Sequence, residues 1–318
     1  MNWRAAVADP IFRAYVCIVV GMLAVSAAVL LMIGLRFRKD VSKLWTIWRS
    51  WAIMAPLALL VVGLGRAATI VGVTVLAVFA FKEFARATGL YRDFFIIAAV
   101  YTAIVFVGLA AGCPDLDPGG TRPGWLELFE TLPIYALVIL FLVPILRNRT
   151  QGQLQSVALA TLGFLLVGWM FAHVAFLANS AHAYGYLAFI VFAVEICDIA
   201  AYTFGTILGS RPLRSAISPK KTWGGALGAL GVAMALPWVL GFSFPPAFGW
   251  REKVLTGVIV GVAGPLGDLS ISLIKRDLGV KDMGSAIPGH GGILDRIDSL
   301  IFVAPLFLRL VNTVEPLR

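Results

Sequence analysis

Val16–Leu35, VCIVVGMLAVSAAVLLMIGL, is a run of twenty residues without a charged side chain. As a helix rising about 1.5 Å per residue it is about 30 Å long, the thickness of a bilayer's hydrocarbon core. Arg36, Arg38, Lys39 and Lys43 end it. A secretory signal would carry its charge before the apolar run and a small-residue cleavage site after it, so this run is expected to be a retained span.

Comparable runs recur outward from it, at about 51–65, 67–85, 93–111, 130–146, 155–178, 183–207, 224–243, 254–274 and 294–311. They make ten spans with the first, or nine if the second and third, separated only by Gly65-Arg66, are one crossing. A chain that is 60% hydrophobic and 14% charged, with a mean hydropathy of +0.90, lies outside the range of soluble domains. The expected fold is an all-α polytopic bundle of nine to ten transmembrane helices forming one membrane domain. Trp45, Trp48 and Trp51 bracket Arg49 and are expected to form an interfacial belt ahead of the second span.

The net charge of +9 is dispersed among the spans rather than gathered on one soluble face, which argues against a nucleic-acid partner. With ten spans, 18 of the 26 Lys and Arg fall on one side, which the positive-inside rule makes the cytosol. Cys17, Cys113 and Cys197 form no CxxC pair and imply neither a disulfide framework nor a zinc site. The polar loop with Asp115 and Asp117 lacks the ligand spacing of a calcium loop and reads as a solvated acidic loop. Lys82-Glu83 reads as an interfacial ion pair, and His173 and His182 as residues of packing or interfacial hydrogen bonding.

Against this background the 31 residues Asp268–Asp298, DLSISLIKRDLGVKDMGSAIPGHGGILDRID, hold five acids, four bases, a histidine and five glycines. On a helix Asp268, Ser272 and Lys275 share one stripe, with Arg276 at its edge. Lys281-Asp282 leads into Pro288-Gly289-His290-Gly291-Gly292, a segment whose glycines bring backbone N–H groups close to a ligand. Asp295, Arg296 and Asp298 open the next apolar run, the two acids three residues apart on one face. Carboxylates from two helices beside a glycine-rich turn and fixed cations suit a metal–polyphosphate substrate. A second cluster precedes it. Glu195 and Asp198 share one face of an otherwise apolar run, where an unpaired acid is costly. Ser218-Pro219-Lys220-Lys221-Thr222 then places two lysines before a helix start with Thr222 as N-cap, which fits a phosphate cradle or an ordinary basic loop.

The order Ser272-x-x-Lys275-Arg276, Lys281-Asp282, Pro288-x-His290-Gly291-Gly292-x-x-Asp295-Arg296-x-Asp298 resembles the signature of the phosphatidate cytidylyltransferases, or CDP-diacylglycerol synthases. Asp198-x-x-Ala201-Tyr202-x-x-Gly205-x-x-x-Gly209 and Ser218-Pro219-Lys220-Lys221-Thr222-Trp223 resemble further family segments, although Gly224 stands where members commonly have a glutamate. The resemblance implies that CTP and phosphatidate give CDP-diacylglycerol and pyrophosphate at the cytosolic face of an integral membrane protein, in a bacterial inner membrane. It implies a metal centre at Asp268 and Asp295, to which Asp298 is added as a hard oxygen donor for Mg²⁺, alone or with a second cation. Lys275, Arg276, Lys281 and Arg296 are then assigned to the phosphates, closed from the other side by Ser218, Lys220, Lys221 and Thr222. Ser272, His290, Gly291, Gly292 and Asp198 line the same polar pocket. Residues 1–180 would be the lipid-facing scaffold and 181–318 the catalytic part, with a homodimer compatible with both. Two rivals remain open, a CTP-dependent membrane enzyme acting on another lipid and an ion-coupled transporter. The transporter predicts an internal repeat, and the two halves show none.

Overall fold

The computed structural model describes residues 1–37, 41–113, 125–209, 211–289 and 291–316. Arg38, Lys39, Asp115, Asp117 and His290 lie outside the described residues. After a short helix Trp3–Ala8, the chain runs through α1 Pro10–Phe37, α2 Ser42–Leu64, α3 Arg66–Ala87, α4 Phe94–Gly112 and α5 Leu126–Leu146. Then come α6 Gln153–Asn179, α7 Ala183–Leu208, α8 Trp223–Val239, α9 Trp250–Asp277 and α10 Leu294–Val314. Among the described residues nine of these are long and apolar enough to cross a bilayer, α8 being the shorter one.

The second and third expected spans are separate helices. Gly65 breaks them at φ 116°, a conformation open to glycine, and a Cβ there would meet Met1 O and Asn2 Cα at 2.9 Å. α2 starts nine residues before the expected boundary, because its first turns carry Ser42, Lys43 and Arg49 at the membrane margin. Trp45, Trp48 and Trp51 therefore belong to the helix itself, and Trp48 Nε1 donates to Leu23 O of α1 at 3.1 Å. The short α8 lies antiparallel along α7: Gly224 rests on Leu208 at one end, and Gly185 rests on Ser243, just beyond α8, at the other. With its closing turn Gly241–Ser243 it thus accompanies α7 over nearly its full length.

Lipid offers helices no hydrophobic reason to associate, so close backbone approach has to hold them. Gly225 seats against Ala201 and Gly205, joining α8 to α7, and Gly257 and Gly261 seat against Ala233 and its neighbours, joining α9 to α8. The largest side chains of the core between helices are aromatic. Phe81, Phe84, Phe129, Phe164, Phe176, Tyr186, Phe189 and Phe307 are fully buried. α6 and α10 are the central helices, while the most apolar window of α1 has no buried residue and faces outward. π-helical turns at Phe164–Met170 of α6 and Ile259–Ala263 of α9 interrupt the α-helical bonding.

The one departure from all-helical structure among the described residues is a small antiparallel hairpin, β1 Pro212–Arg214 with β2 Ser218–Thr222, where the sequence reads as a basic loop. It sits at one end of the bundle. The same end gathers the start of α2, the ends of α3, α7 and α9, the start of α10 and the 278–293 connection. The cysteines are free, Cys197 buried and the other two exposed.

Candidate active site

α9 delivers its stripe as the spacing requires. Ser272 Oγ donates to Asp268 Oδ1 at 3.1 Å, and Lys275, one turn further on, is buried. Lys275 Nζ donates to Asp295 Oδ1 at 2.7 Å, tying α9 to α10 with side chains 10% and 4% exposed. The other oxygen of Asp295 accepts Met283 N and Gly292 N, each at 3.0 Å, so one carboxylate closes both ends of the connecting loop. An acid in the first turn of α10 is also favoured by the helix dipole.

Asp298 follows on the buried face of α10, its Oδ1 accepting Ser299 N at 2.7 Å. It lies within electrostatic reach of Asp268, Lys275 and Asp198, the last contributed by α7. Arg296 lies within electrostatic reach of Glu195 and Asp198, and its Nε is buried with no hydrogen-bond partner among the described residues. The structure therefore brings Asp198, Asp268 and Asp298 within electrostatic reach of one another from three helices, and Lys275 links Asp295 to the same group.

The hairpin supplies the cations opposite. Lys221 Nζ pairs with Asp268 Oδ2, while Lys220, its neighbour along β2, faces outward and is exposed. Ser218 begins the same strand in register with Arg214. Thr222 is the N-cap of α8, its Oγ1 accepting Gly225 N at 3.2 Å. Arg276 is exposed and spans the end of α9, Nε donating to Ile217 O of the hairpin at 3.2 Å and Nη1 to Val280 O at 3.1 Å. Lys281 is exposed on the loop.

The glycine-rich turn is built on left-handed backbone at Gly289 (φ 77°) and Gly291 (φ 82°), closed by Ile287 N donating to Gly291 O at 2.9 Å. A Cβ on Gly291 would lie 3.0 Å from Asp295 Oδ2. Gly292 is buried.

Two features were not legible beforehand. Glu83 of α3 does not pair with Lys82, whose Nζ lies 5.9 Å from the Phe79 ring centroid; its Oε2 accepts Leu294 N at 2.9 Å, inside the site. Successive residues on a helix point about 100° apart, which separates the two charges. Gly224, where an acid is commonly found, has no room for a side chain. A Cβ would stand 2.9 Å from both C and O of Leu208.

A model for the cytidylyltransferase family matches residues 45–314. The chain belongs to the cytidylyltransferase family. That family comprises nucleotidyl-transferring enzymes, and its match covers every helix that contributes to the site. Among curated proteins, the chain is 34% identical over 192 residues to the Escherichia coli K12 protein named Uncharacterized protein YnbB, covering 58% of this chain and 64% of that one. It is 33% identical over 186 residues to the Phosphatidate cytidylyltransferase of Staphylococcus aureus strain COL, and 33% over 184 to that of Staphylococcus haemolyticus. Each of these matches covers 57% of this chain and 69% of the relative. The transporter alternative falls away with this membership, since it leaves the shared cytidylyltransferase pattern unaccounted for.

Whether the site suits a divalent ion is a question of donors and charge. Asp198, Asp268, Asp295 and Asp298 are hard oxygen donors of the kind Mg²⁺ prefers. Among the described residues no three acid, histidine or cysteine side chains converge tightly enough to cage an ion as they stand. Two ammonium groups, of Lys221 and Lys275, sit directly on Asp268 and Asp295 and supply positive charge there. A carboxylate oxygen has more than one lone pair, so these bonds leave coordination capacity on both acids. The donor set fits in kind, as hard carboxylate oxygens.

Proposed function

We propose that this chain is a phosphatidate cytidylyltransferase, acting with Mg²⁺ at the cytosolic face of a bacterial inner membrane. In the reaction a phosphate oxygen of phosphatidate attacks the α-phosphorus of CTP. The bond from that phosphorus to the bridging oxygen breaks, and pyrophosphate leaves with the electron pair. The nucleophile is already anionic at neutral pH, so proton abstraction matters little and charge repulsion is the main barrier.

The observation that carries this reading is the convergence, at one end of a membrane bundle, of Asp268, Asp295 and Asp298 with Lys221, Lys275 and Arg296. Asp268, Asp295 and Asp298, with Asp198 beside them, would hold the metal, which would neutralise the charge of the triphosphate. Lys275, paired with Asp295, and Lys221, paired with Asp268, are placed to exchange those carboxylates for phosphate oxygens. Arg296, whose buried Nε has no hydrogen-bond partner among the described residues, offers a guanidinium to the departing pyrophosphate. Lys220, Lys281 and Arg276 form the outer, solvent-facing rim. Ser218, Thr222, Ser272, His290, Gly291 and Gly292 complete the substrate lining, and acyl chains enter from the lipid between helices.

A second reading, another lipid phosphate as acceptor, rests on Gly224 alone, where Leu208 closes the space a side chain would need. The deciding experiment is pyrophosphate release by detergent-purified protein with CTP and Mg²⁺, with and without phosphatidate, alongside Asp295→Ala. Phosphatidate-dependent release abolished by the substitution supports the proposal. Turnover only with a different lipid phosphate moves it to the second reading, and silence with every acceptor rejects both.

A further inference from the structure

Glu83 belongs to α3, far in sequence from the residues assigned to chemistry, yet its carboxylate is enclosed by the catalytic loop. Its Oε2 accepts Leu294 N, the first N–H of α10, at 2.9 Å. Gly284 and Gly292 press against the carboxylate from the two sides of the loop: a Cβ on Gly284 would lie 2.5 Å from Glu83 Cδ, and one on Gly292 2.8 Å from it. Gly292 also donates to Asp295, so Glu83 and Asp295 grip the same short segment from opposite flanks. α2 adds a third hold, Ser50 Oγ donating to Pro288 O at 2.7 Å.

We propose that Glu83 is a positioning residue for nucleotidyl transfer: its carboxylate fixes the start of α10 against the 278–293 loop and so sets the placement of Asp295, Arg296 and Asp298. A negative charge at the N-terminus of α10 is electrostatically favoured, and the lack of a side chain at the two glycines makes the room in which the carboxylate sits. The N-terminal helices thereby take part in catalysis through geometry as well as through lipid contact. This inference rests on the nucleotidyl-transfer reading above.

The test compares Glu83→Ala, Glu83→Gln and the neighbouring Lys82→Ala in full-length protein in detergent, measuring kcat and KM for CTP and lipid together with the folded fraction and the thermal shift given by CTP with Mg²⁺. Glu83→Ala is expected to lose on the order of 10- to 100-fold in kcat with the lipid KM unchanged, the scale of a misplacement of about 1 Å. Glu83→Gln, whose amide oxygen still accepts Leu294 N, is expected to recover most of it, and Lys82→Ala to match the parent. Wild-type kcat in Glu83→Ala, or losses that only track the folded fraction, would overturn the inference. If Glu83→Ala does not fold, Gly284→Ala pushes on the same carboxylate and is held to the same outcome. A parent protein that neither binds CTP with Mg²⁺ nor releases pyrophosphate rejects the nucleotidyl-transfer reading itself. A parent that binds CTP but does not use phosphatidate leaves the thermal shift as the readout: a shift weakened in Glu83→Ala supports the inference, and an equal shift overturns it.

Discussion

Lys275 Nζ and Asp295 Oδ1, 2.7 Å apart and both buried, lock the last turn of one membrane helix to the first turn of the next. Removing one member of such a pair strands a charge where solvent cannot reach it, at a cost of about 3–5 kcal/mol. Lys275→Met is therefore expected to unfold at markedly lower temperature in detergent. The double variant Lys275→Met/Asp295→Leu is expected to regain much of that stability while staying inactive. Recovery of activity along with stability would show the pair to be purely structural.

The pair formed by Lys221 with Asp268 differs in kind, its side chains being 27% and 24% exposed. Partial solvation screens it, and pairs of this sort contribute about 0–1 kcal/mol. Lys221→Ala is expected to leave the unfolding midpoint almost unmoved and to raise KM for CTP on the order of tenfold, one lost charge-assisted contact to phosphate. A large stability loss with KM unchanged would remove Lys221 from the substrate site.

Thr222 and Gly224 govern how α8 begins. Losing the cap that Thr222 Oγ1 gives Gly225 N costs about 1 kcal/mol, so Thr222→Val should be mildly destabilising. Gly224→Glu should be far worse, because the atoms its Cβ meets are backbone atoms of Leu208, which cannot swing aside. The expected outcome is a loss of folded yield on size-exclusion chromatography. A well-folded Gly224→Glu protein with raised phosphatidate turnover would instead mark that position as the source of acceptor choice.

Much of this is legible in the sequence. Hydropathy finds the helices because each must satisfy its own backbone in lipid, and helical spacing alone puts Asp268, Ser272 and Lys275 on one stripe. What local pattern cannot supply is partnership at long range. Glu83 reads as one half of an interfacial pair with Lys82, since nothing nearby in sequence shows that Leu294 N, 211 positions away, is the donor it meets. The hairpin at 212–222 escapes for a related reason: its strands are three and five residues long, too short for an alternating pattern, and Arg276 bonding to Ile217 O helps hold them in place. Helix margins shift where polar residues such as Arg49 continue a helix beyond its apolar stretch.

We propose an orientation for the bundle from charge. In the ten-span reading of the sequence 18 of the 26 Lys and Arg fall on the side of the site, and without Lys220, Lys221, Lys275, Arg276 and Lys281 the balance is still 13 against 8. Cytosolic loops retain Lys and Arg because such charges resist translocation, so the hairpin is expected inside and Trp250, exposed near the start of α9, outside. With Cys17, Cys113 and Cys197 replaced by serine, a single cysteine at Lys220 should resist a membrane-impermeant maleimide in spheroplasts of a bacterial host and react in inverted vesicles. A cysteine at Trp250 should do the reverse. Labelling of position 220 from outside would place the nucleotide site away from the cytosolic pool of CTP and defeat the proposed topology.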